Sequence, residues 1–426
     1  MIAIGGAIGT GLFLGSGFAI GLAGPAVLVS YAIAGAIALA LMGCLAEMTA
    51  ADPQPGAFGA QAARYLGPLA GFLVRWSYWS CVVLAVGTEV TAVAVVMGYW
   101  LPGVPAPVWI VGAGAALVAV NLTGVGWFGA VEYGFSAIKV AAILVFLALG
   151  GVVIARSGHG VAHWTDTGGF APHGGWGVWQ GVIVAIFSYL SIEMIAVAAG
   201  EAAEPARAVV RAFRATIARL LIFYLGSLAV MLAIVPWTHA GTGTSPFVTV
   251  AAATGLPGAA GVVNAVVLVA ALSAMNAQLY VASRMLWNAA EAGQAPAGLA
   301  VLSGSGVPRR AVWASSGGIA VAATVAATLP GNALGVMIAV SVFGALFTWG
   351  AIFVTHAAFR RRHGTPAGFR LAGGGWIGGA GAVAIAAVLV TTAFTDAFRA
   401  TLAWGLPFEA VLLVAWALRR RAGRLS

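Results

Sequence analysis

Residues Gly5–Gly15 read "GGAIGTGLFLG" and place five glycines in eleven residues of an apolar run. Glycine weakens a helix interior by about 1 kcal/mol relative to alanine, so this density predicts a break in the helix just after Ile8. Inside a membrane, freed backbone is tolerated only where it lines a cavity or is buried in protein. A broken span also presents backbone N–H groups at a helix N-terminus, which can hold an anion such as a carboxylate.

Close packing is the alternative for these glycines, because small residues let two helices touch. Gly5, Gly6, Gly9 and Gly11 could form such a contact face, and the sequence leaves this open. A nucleotide-binding loop is excluded, since the glycines follow the order GxxGxG and no acidic residue follows within twenty positions.

The composition identifies a membrane protein. Hydrophobic residues make up 62% of the 426 residues, charged residues make up 7%, and the mean hydropathy is +1.01. A membrane helix needs roughly 20 apolar residues. We therefore predict an all-α membrane protein with about twelve transmembrane helices, at residues 1–22, 25–50, 69–100, 107–126, 131–155, 178–202, 215–237, 260–290, 311–329, 332–358, 376–395 and 399–418.

The basic residues predict the orientation. With a cytoplasmic N-terminus, seventeen arginines fall in inner loops, helix ends and the tail, whereas only Arg156 and Arg399 fall outside. This asymmetry and the even number of spans predict that both termini are cytoplasmic. The net charge of +9 is thus a topology signal, and no water-exposed basic domain indicates a nucleic-acid partner.

Cysteines and histidines predict neither a disulfide nor a metal site. Cys44 and Cys81 lie in predicted spans, where they are expected to be small buried apolar residues. The outer loop at 157–177 contains one acid and three histidines in loose spacing, which favours a solvated loop without a metal: His159, His163, Asp166 and His173. No cofactor is predicted.

The sixth span contains the partner of the first break. Its apolar ends enclose Ser188, Tyr189, Ser191 and Glu193, and polar groups at membrane depth are costly and by default functional. Interruptions in spans one and six are typical of a five-plus-five inverted repeat that holds substrate near the midplane. We therefore predict a first repeat over 1–156 and a second over 178–358, followed by two further helices over 376–418.

Six ordered motifs resemble a known family nearly end to end. They are "MIAIGGAIGTGLFLGSG", "GPAVLVSYAIAGAIALALMGCLAEM", "GAFGAQAARYLGPLAGFLVRWSYW", "FGAVEYGFSAIKVAAI", "FSYLSIEMIAVAAGEAAEPARAVVRA" and "ALSAMNAQLYVASRMLWNAAEAGQAP". The sequence is similar to the bacterial amino acid permeases of the amino acid/polyamine/organocation superfamily, in the group with GABA, aromatic and D-alanine permeases. One departure is Ser191, which stands where that family usually has glycine in the break of span six.

The resemblance implies roles for both breaks. The substrate carboxylate is expected at the amides of Gly9 and Gly11 and at Thr10, and the substrate ammonium at the carbonyls of Ile8, Phe187 and Leu190. Phe187 is expected to cover the substrate on the outer side, although packing bulk is the alternative. Glu193 is expected to form a gate just beyond Ser188 and Ser191, although a buried acid without a gating role is the alternative.

Lys139 is the only lysine of the chain and lies well inside span five. A charge there costs at least about 2.5 to 3.5 kcal/mol, and a lysine can release its proton when burial disfavours the charged form. The resemblance implies that Lys139 carries the coupling proton between spans one, five and eight. The alternative is a structural amine that does not titrate. Glu89, Ser273 and Asn276 are further polar candidates along the pathway or in helix contacts.

These features predict a secondary active transporter of the inner membrane, which imports a small neutral amino acid and couples its transport to protons. Its predicted partners are the amino acid, the proton and membrane lipids. An exchanger, or a sensor that binds without transport, remains as the alternative. A channel fits the broken helices less well, and an enzyme is not predicted because no nucleophile–base pair or metal cluster occurs at membrane depth.

Overall fold

The computed structural model describes residues 9–52, 57–123, 125–158, 160–194, 204–240, 244–366 and 369–421. The described chain is helical and contains no strand. Eleven stretches are long and apolar enough to cross a membrane, and the first of them, Gly11–Ala51, contains two helices separated by a turn at Gly24–Ala26. The prediction of an all-α membrane protein with about twelve transmembrane helices is confirmed.

We number the twelve membrane helices in chain order. Helix α1 comprises a π-helical turn at Gly11–Gly15 and an α-helical part at Ser16–Ala23. The others are α2 (Val27–Ala51), α3 (Pro68–Met97), α4 (Ala106–Thr123), α5 (Val125–Ser157), α6 (Gly174–Ser188), α7 (Pro205–Arg219, continued by Leu220–Gly226 and Ser227–Ile234), α8 (Ala259–Glu291), α9 (Arg309–Ser315 with Gly317–Thr328), α10 (Ala333–His363), α11 (Gly375–Ala393) and α12 (Arg399–Arg421). Each overlaps its predicted span.

Helix α3 is the centre of the bundle. It is almost entirely buried and makes its most extensive contacts with α8 and α10, whereas α5 and α12 expose most of their apolar surface. Glycines allow one especially close approach: a Cβ on Gly318 of α9 would lie 1.8 Å from the carbonyl oxygen of Val83 in α3. The two backbones therefore touch, which only small residues permit.

A buried ionic cluster joins α2 to α10. The Glu47 carboxylate lies 2.7 Å from His356 Nε2 and 2.6 Å from Arg360 Nη2, and neither Glu47 nor His356 is exposed. The cluster satisfies a carboxylate that would otherwise be an uncompensated buried charge, whose cost is several kcal/mol. It ties the ends of α2 and α10 together.

The outer loop before α6 packs against the turn between α1 and α2. Phe170 accepts a hydrogen bond from the Ala26 amide at 2.8 Å, and His173 Nδ1 lies 2.8 Å from the carbonyl oxygen of Leu22. His163 pairs with Asp166 at 2.6 Å, and this hydrogen bond holds the pKa of Asp166 below its usual range. His163 and His173 thus face different partners, while His159 lies outside the described residues.

Candidate functional site

The break in span six lies directly after Ser188, where α6 ends. Ser191 adopts φ +74°, and it is the one residue other than glycine with positive φ in the part of the chain that the structure describes. A side chain in the left-handed region costs roughly 1–2 kcal/mol, which explains why a glycine is expected at this position. The chain resumes a helical turn at Ile192–Met194, so the predicted interruption is present.

Glu193 stabilises this break. Its Oε1 accepts hydrogen bonds from the Tyr78 hydroxyl at 2.6 Å and from the Ser191 amide at 3.1 Å, and its Oε2 accepts one from Trp349 Nε1 at 3.1 Å. The side chain is fully buried. One carboxylate therefore joins α3, the break in α6 and α10.

The first span contains the second polar junction. Helical structure begins at Thr10, and the Thr10 amide donates to the Glu89 carboxylate at 3.3 and 3.4 Å. A Cβ on Gly9 would lie 2.7 Å from Glu89 Oε1 and 3.0 Å from the Cβ of Ala274. Gly9 is therefore required for the close approach of α3 and α8 to the start of α1. Ile8 lies outside the described residues.

Ser188 connects the end of α6 to the start of α1. Its Oγ donates to the carbonyl oxygen of Gly11 at 2.7 Å and accepts from the Tyr31 hydroxyl at 2.8 Å, while its own carbonyl oxygen accepts from the Tyr224 hydroxyl at 3.0 Å. A Cβ on Gly11 would lie 2.6 Å from the Ser188 Cα. The close-packing interpretation thus holds at Gly11, since the break of span six occupies the space beside it.

Aromatic side chains surround this junction. Phe187 and Leu190 are buried, and Tyr31, Tyr189 and Tyr224 pack edge to face or tilted at ring-centroid distances of 4.7 to 6.3 Å. Sequence reasoning missed Tyr31 and Tyr224. A hydroxyl within an apolar span is the signal that could have pointed to them, because buried tyrosines require a hydrogen-bond partner.

The polar candidates from spans five and eight take part in two separate contacts. Lys139 is buried, and its Nζ donates to Ser273 Oγ at 2.9 Å. Ala274, the residue after Ser273, and Glu89 of α3 both lie beside Gly9. Asn276 accepts a hydrogen bond from Asn121 at 3.0 Å, while its Nδ2 is buried without a partner.

Comparisons with known proteins agree with this architecture. The family model described as amino acid permease matches residues 1–424. The amino acid permease YtnA of Bacillus subtilis (strain 168) is 40% identical over 367 residues, which cover 85% of this chain and 79% of YtnA. The aromatic amino acid transport protein AroP of Escherichia coli (strain K12) is 40% identical over 368 residues, or 85% of this chain and 80% of AroP. AroP of Salmonella typhimurium (strain SL1344) is 38% identical over a similar length, covering the same shares. The matched residues include both breaks and Lys139.

Proposed function

Because the chain belongs to the amino acid permease family, we propose that it is a secondary active transporter that imports a neutral amino acid by alternating access, driven by protons. Its relatives are permeases and not enzymes. In this proposal the protein lies in the inner membrane with both termini in the cytoplasm, as the arginine distribution favours. Residues 1–156 and 178–358 act as the two inverted repeats, and the helices at 376–418 pack outside them.

The observation that best supports the proposal is the contact between Gly11 and Ser188. Gly11 and Ser188 meet in the interior of the bundle, where α6 ends and the break of span six leaves backbone groups free of the regular helical pattern. Broken helices at membrane depth are the usual means by which transporters hold a substrate. Substrate must therefore separate or reshape this contact, which is the kind of change that alternating access requires.

Each end of the substrate has a candidate partner. Its carboxylate would bind the amides of Gly9 and Gly11 together with Thr10. Its ammonium would bind carbonyl oxygens of the two breaks, which belong to Ile8, Phe187 and Leu190. Ser188 and Ser191 would line the same space.

Two side chains would close the site. Phe187 would cover the substrate on the outer side of the break. Glu193, which is bonded to Tyr78 and Trp349, would hold the inner side closed until those bonds rearrange.

An uncharged side chain on the substrate is favoured by the surroundings of the junction. Aromatic and aliphatic groups pack around it, and the AroP relatives are described as aromatic amino acid transporters. The test is a thermal-shift screen of the purified protein against the twenty amino acids, GABA and D-amino acids, followed by uptake of each hit into proteoliposomes. Saturable uptake with counterflow indicates a carrier, exchange without net uptake indicates an exchanger, and binding without flux indicates a sensor and contradicts the proposal.

Lys139 is the proposed proton-coupling residue. It is a buried lysine whose Nζ donates to Ser273 of α8, next to Ala274, which lies beside Gly9, so release of its proton would weaken ties between helices around the start of α1. Uptake with and without an inward proton gradient is compared for the wild type and Lys139→Ala. We expect the variant to bind and exchange substrate without gradient-driven accumulation; unchanged proton-driven accumulation would exclude Lys139 as the coupling site.

A further inference from the structure

The Thr10 amide is already occupied by a carboxylate of the protein itself. Glu89 comes from α3, 79 residues away, and places both carboxylate oxygens within 3.4 Å of the Thr10 nitrogen. Thr10 begins the helical part of span one, where the N-terminal end of a helix attracts negative charge. A carboxylate is also the group by which every amino acid would be recognised at this position.

The contact is geometrically weaker than the other buried carboxylate contacts of the site. Its two N···O distances lie at or beyond the long end of normal hydrogen bonds, whereas Glu193 accepts one from Tyr78 at 2.6 Å. The Thr10 residue is 2% exposed, and its buried hydroxyl has no hydrogen-bond partner among the described residues. A donor at this place thus remains available for an additional acceptor.

The Glu89 carboxylate has a second candidate partner besides the Thr10 amide. The Lys139 side chain of α5 lies close by, because its Nζ donates to Ser273 and the next residue, Ala274, lies beside Gly9, as Glu89 does. If Glu89 leaves the Thr10 amide, its charge stays compensated by that cation, so displacement does not create an isolated buried charge. Gly9, which has no Cβ to block the approach, leaves the path between Glu89 and the start of α1 open.

We propose that Glu89 is a tethered stand-in for the substrate carboxylate: it occupies the Thr10 amide in the empty protein, and substrate binds by displacing it toward Lys139. This inference rests on the proposed function, because it assumes that an amino acid carboxylate binds at the start of α1. Glu89 is then a competitor of the substrate and sets the apparent affinity, since only the fraction of molecules with a free amide can bind. The competing role is direct attraction of the substrate ammonium by Glu89, and it has the opposite consequence.

The experiment measures the binding affinity of purified Glu89→Gln for L-phenylalanine, or for the amino acid that the screen identifies, and for its methyl ester. Glutamine is isosteric, but it accepts a weaker hydrogen bond than a carboxylate does. We expect the free amino acid to bind about tenfold more tightly than to the wild type, because a weaker competitor leaves more amide free. The ester, which lacks the displacing carboxylate, should show no such gain.

Two further variants complete the test. Glu89→Asp keeps the charge but shortens the side chain, so it should also tighten binding by loosening the contact with Thr10. Glu409→Gln is the matched control, because Glu409 is a buried membrane carboxylate that accepts a hydrogen bond from Ser77 in a different part of the bundle. We expect this control variant to bind the substrate with the affinity of the wild type.

The outcomes are distinct. Weaker or unchanged binding of the free amino acid to folded Glu89→Gln and Glu89→Asp overturns the inference while the proposed function stands. Tightening that is equal for acid and ester also overturns it, because the gain would not depend on exchange of carboxylates. If the wild type binds no amino acid at all, the proposed function fails and the inference fails with it.

Discussion

The break of span six and the start of the described part of span one differ in how a buried carboxylate binds their backbone amides. At the break of span six, Glu193 lies two residues from the amide it binds and is fixed by Tyr78 and Trp349 at short distances. At the start of span one, the Thr10 amide relies on Glu89 of another helix, through two long contacts. The first carboxylate accepts three hydrogen bonds, and the second depends on a single amide that it can leave.

This difference assigns separate tasks to the two breaks. A carboxylate with three donors stabilises one geometry, because any movement loses several buried hydrogen bonds at once. A carboxylate with one long contact and a nearby cation permits two geometries. We infer that the break of span six supports the site, while the start of span one is where ligand exchange takes place.

Replacing Glu193 should have the largest effect on stability. Glu193→Ala leaves the Tyr78 hydroxyl, the Trp349 Nε1 and the Ser191 amide without their acceptor, and each buried orphan costs about 1–3 kcal/mol. We expect a loss of about 3 kcal/mol or more in the free energy of unfolding, seen as a lower midpoint in thermal denaturation in detergent. Glu89→Gln, which keeps an acceptor oxygen beside the Thr10 amide, should lose clearly less. Equal losses would remove the distinction between the two breaks.

Gly11→Val tests the junction between the breaks. The new side chain would meet the Ser188 backbone, and overpacking of this kind costs typically about 1–3 kcal/mol. We expect both a lower midpoint of thermal denaturation and loss of uptake. Gly21→Val is the control, because a Cβ on Gly21 of the same helix meets nothing within 4 Å. A Gly11→Val protein as stable as the control would mean that the two breaks are not in contact in the membrane.

Tyr224→Phe probes the support of Ser188 with a smaller change. It deletes the hydroxyl that donates to the Ser188 carbonyl oxygen at 3.0 Å and leaves the ring in place. A hydrogen bond of this kind contributes about 0.5–1.5 kcal/mol, so a modest drop in the denaturation midpoint is expected. Tyr99→Phe, just after α3 and 44% exposed, serves as the comparison. A drop no larger than that of the comparison would show that Ser188 holds its place without Tyr224.

Ser191→Gly should have the smallest effect and the opposite sign. Glycine adopts positive φ without steric cost, so relief of strain at φ +74° should raise stability by about 0.5–1 kcal/mol. Ser191→Ala retains a Cβ and should give no gain. If alanine stabilises as much as glycine, the backbone conformation is not the source of the strain.

The twelve spans and the break in span six could be predicted because they depend on local composition. Long apolar runs predict membrane helices, and Ser188 to Glu193 interrupt such a run. The serine that departs from the family pattern also marks a special backbone conformation, because Ser191 adopts a positive φ that favours glycine.

The partners across the bundle could not be predicted. The contact between Thr10 and Glu89 depends on how α3 rotates against α1, and Gly11 meets a residue 177 positions away. The glycine-rich stretch does not reveal whether its backbone contacts a ligand or Ser188, because either close contact requires a residue without a Cβ. Lys139 was predicted to act between spans one, five and eight. Its contact with Ser273 of span eight is present, whereas residues 1–8 of span one lie outside the described part of the chain.

The buried cluster at the ends of α2 and α10 has a consequence for biosynthesis. Glu47 precedes His356 by 309 residues and Arg360 by 313 residues. At about 5–20 residues per second, the ribosome needs roughly 15–60 s to supply these partners after Glu47 has been made. During that interval the carboxylate of α2 can remain charged only where water or lipid headgroups solvate it. A charged Glu47 therefore reaches its buried position only together with its partners on α10, in a step that joins the early and late parts of the bundle.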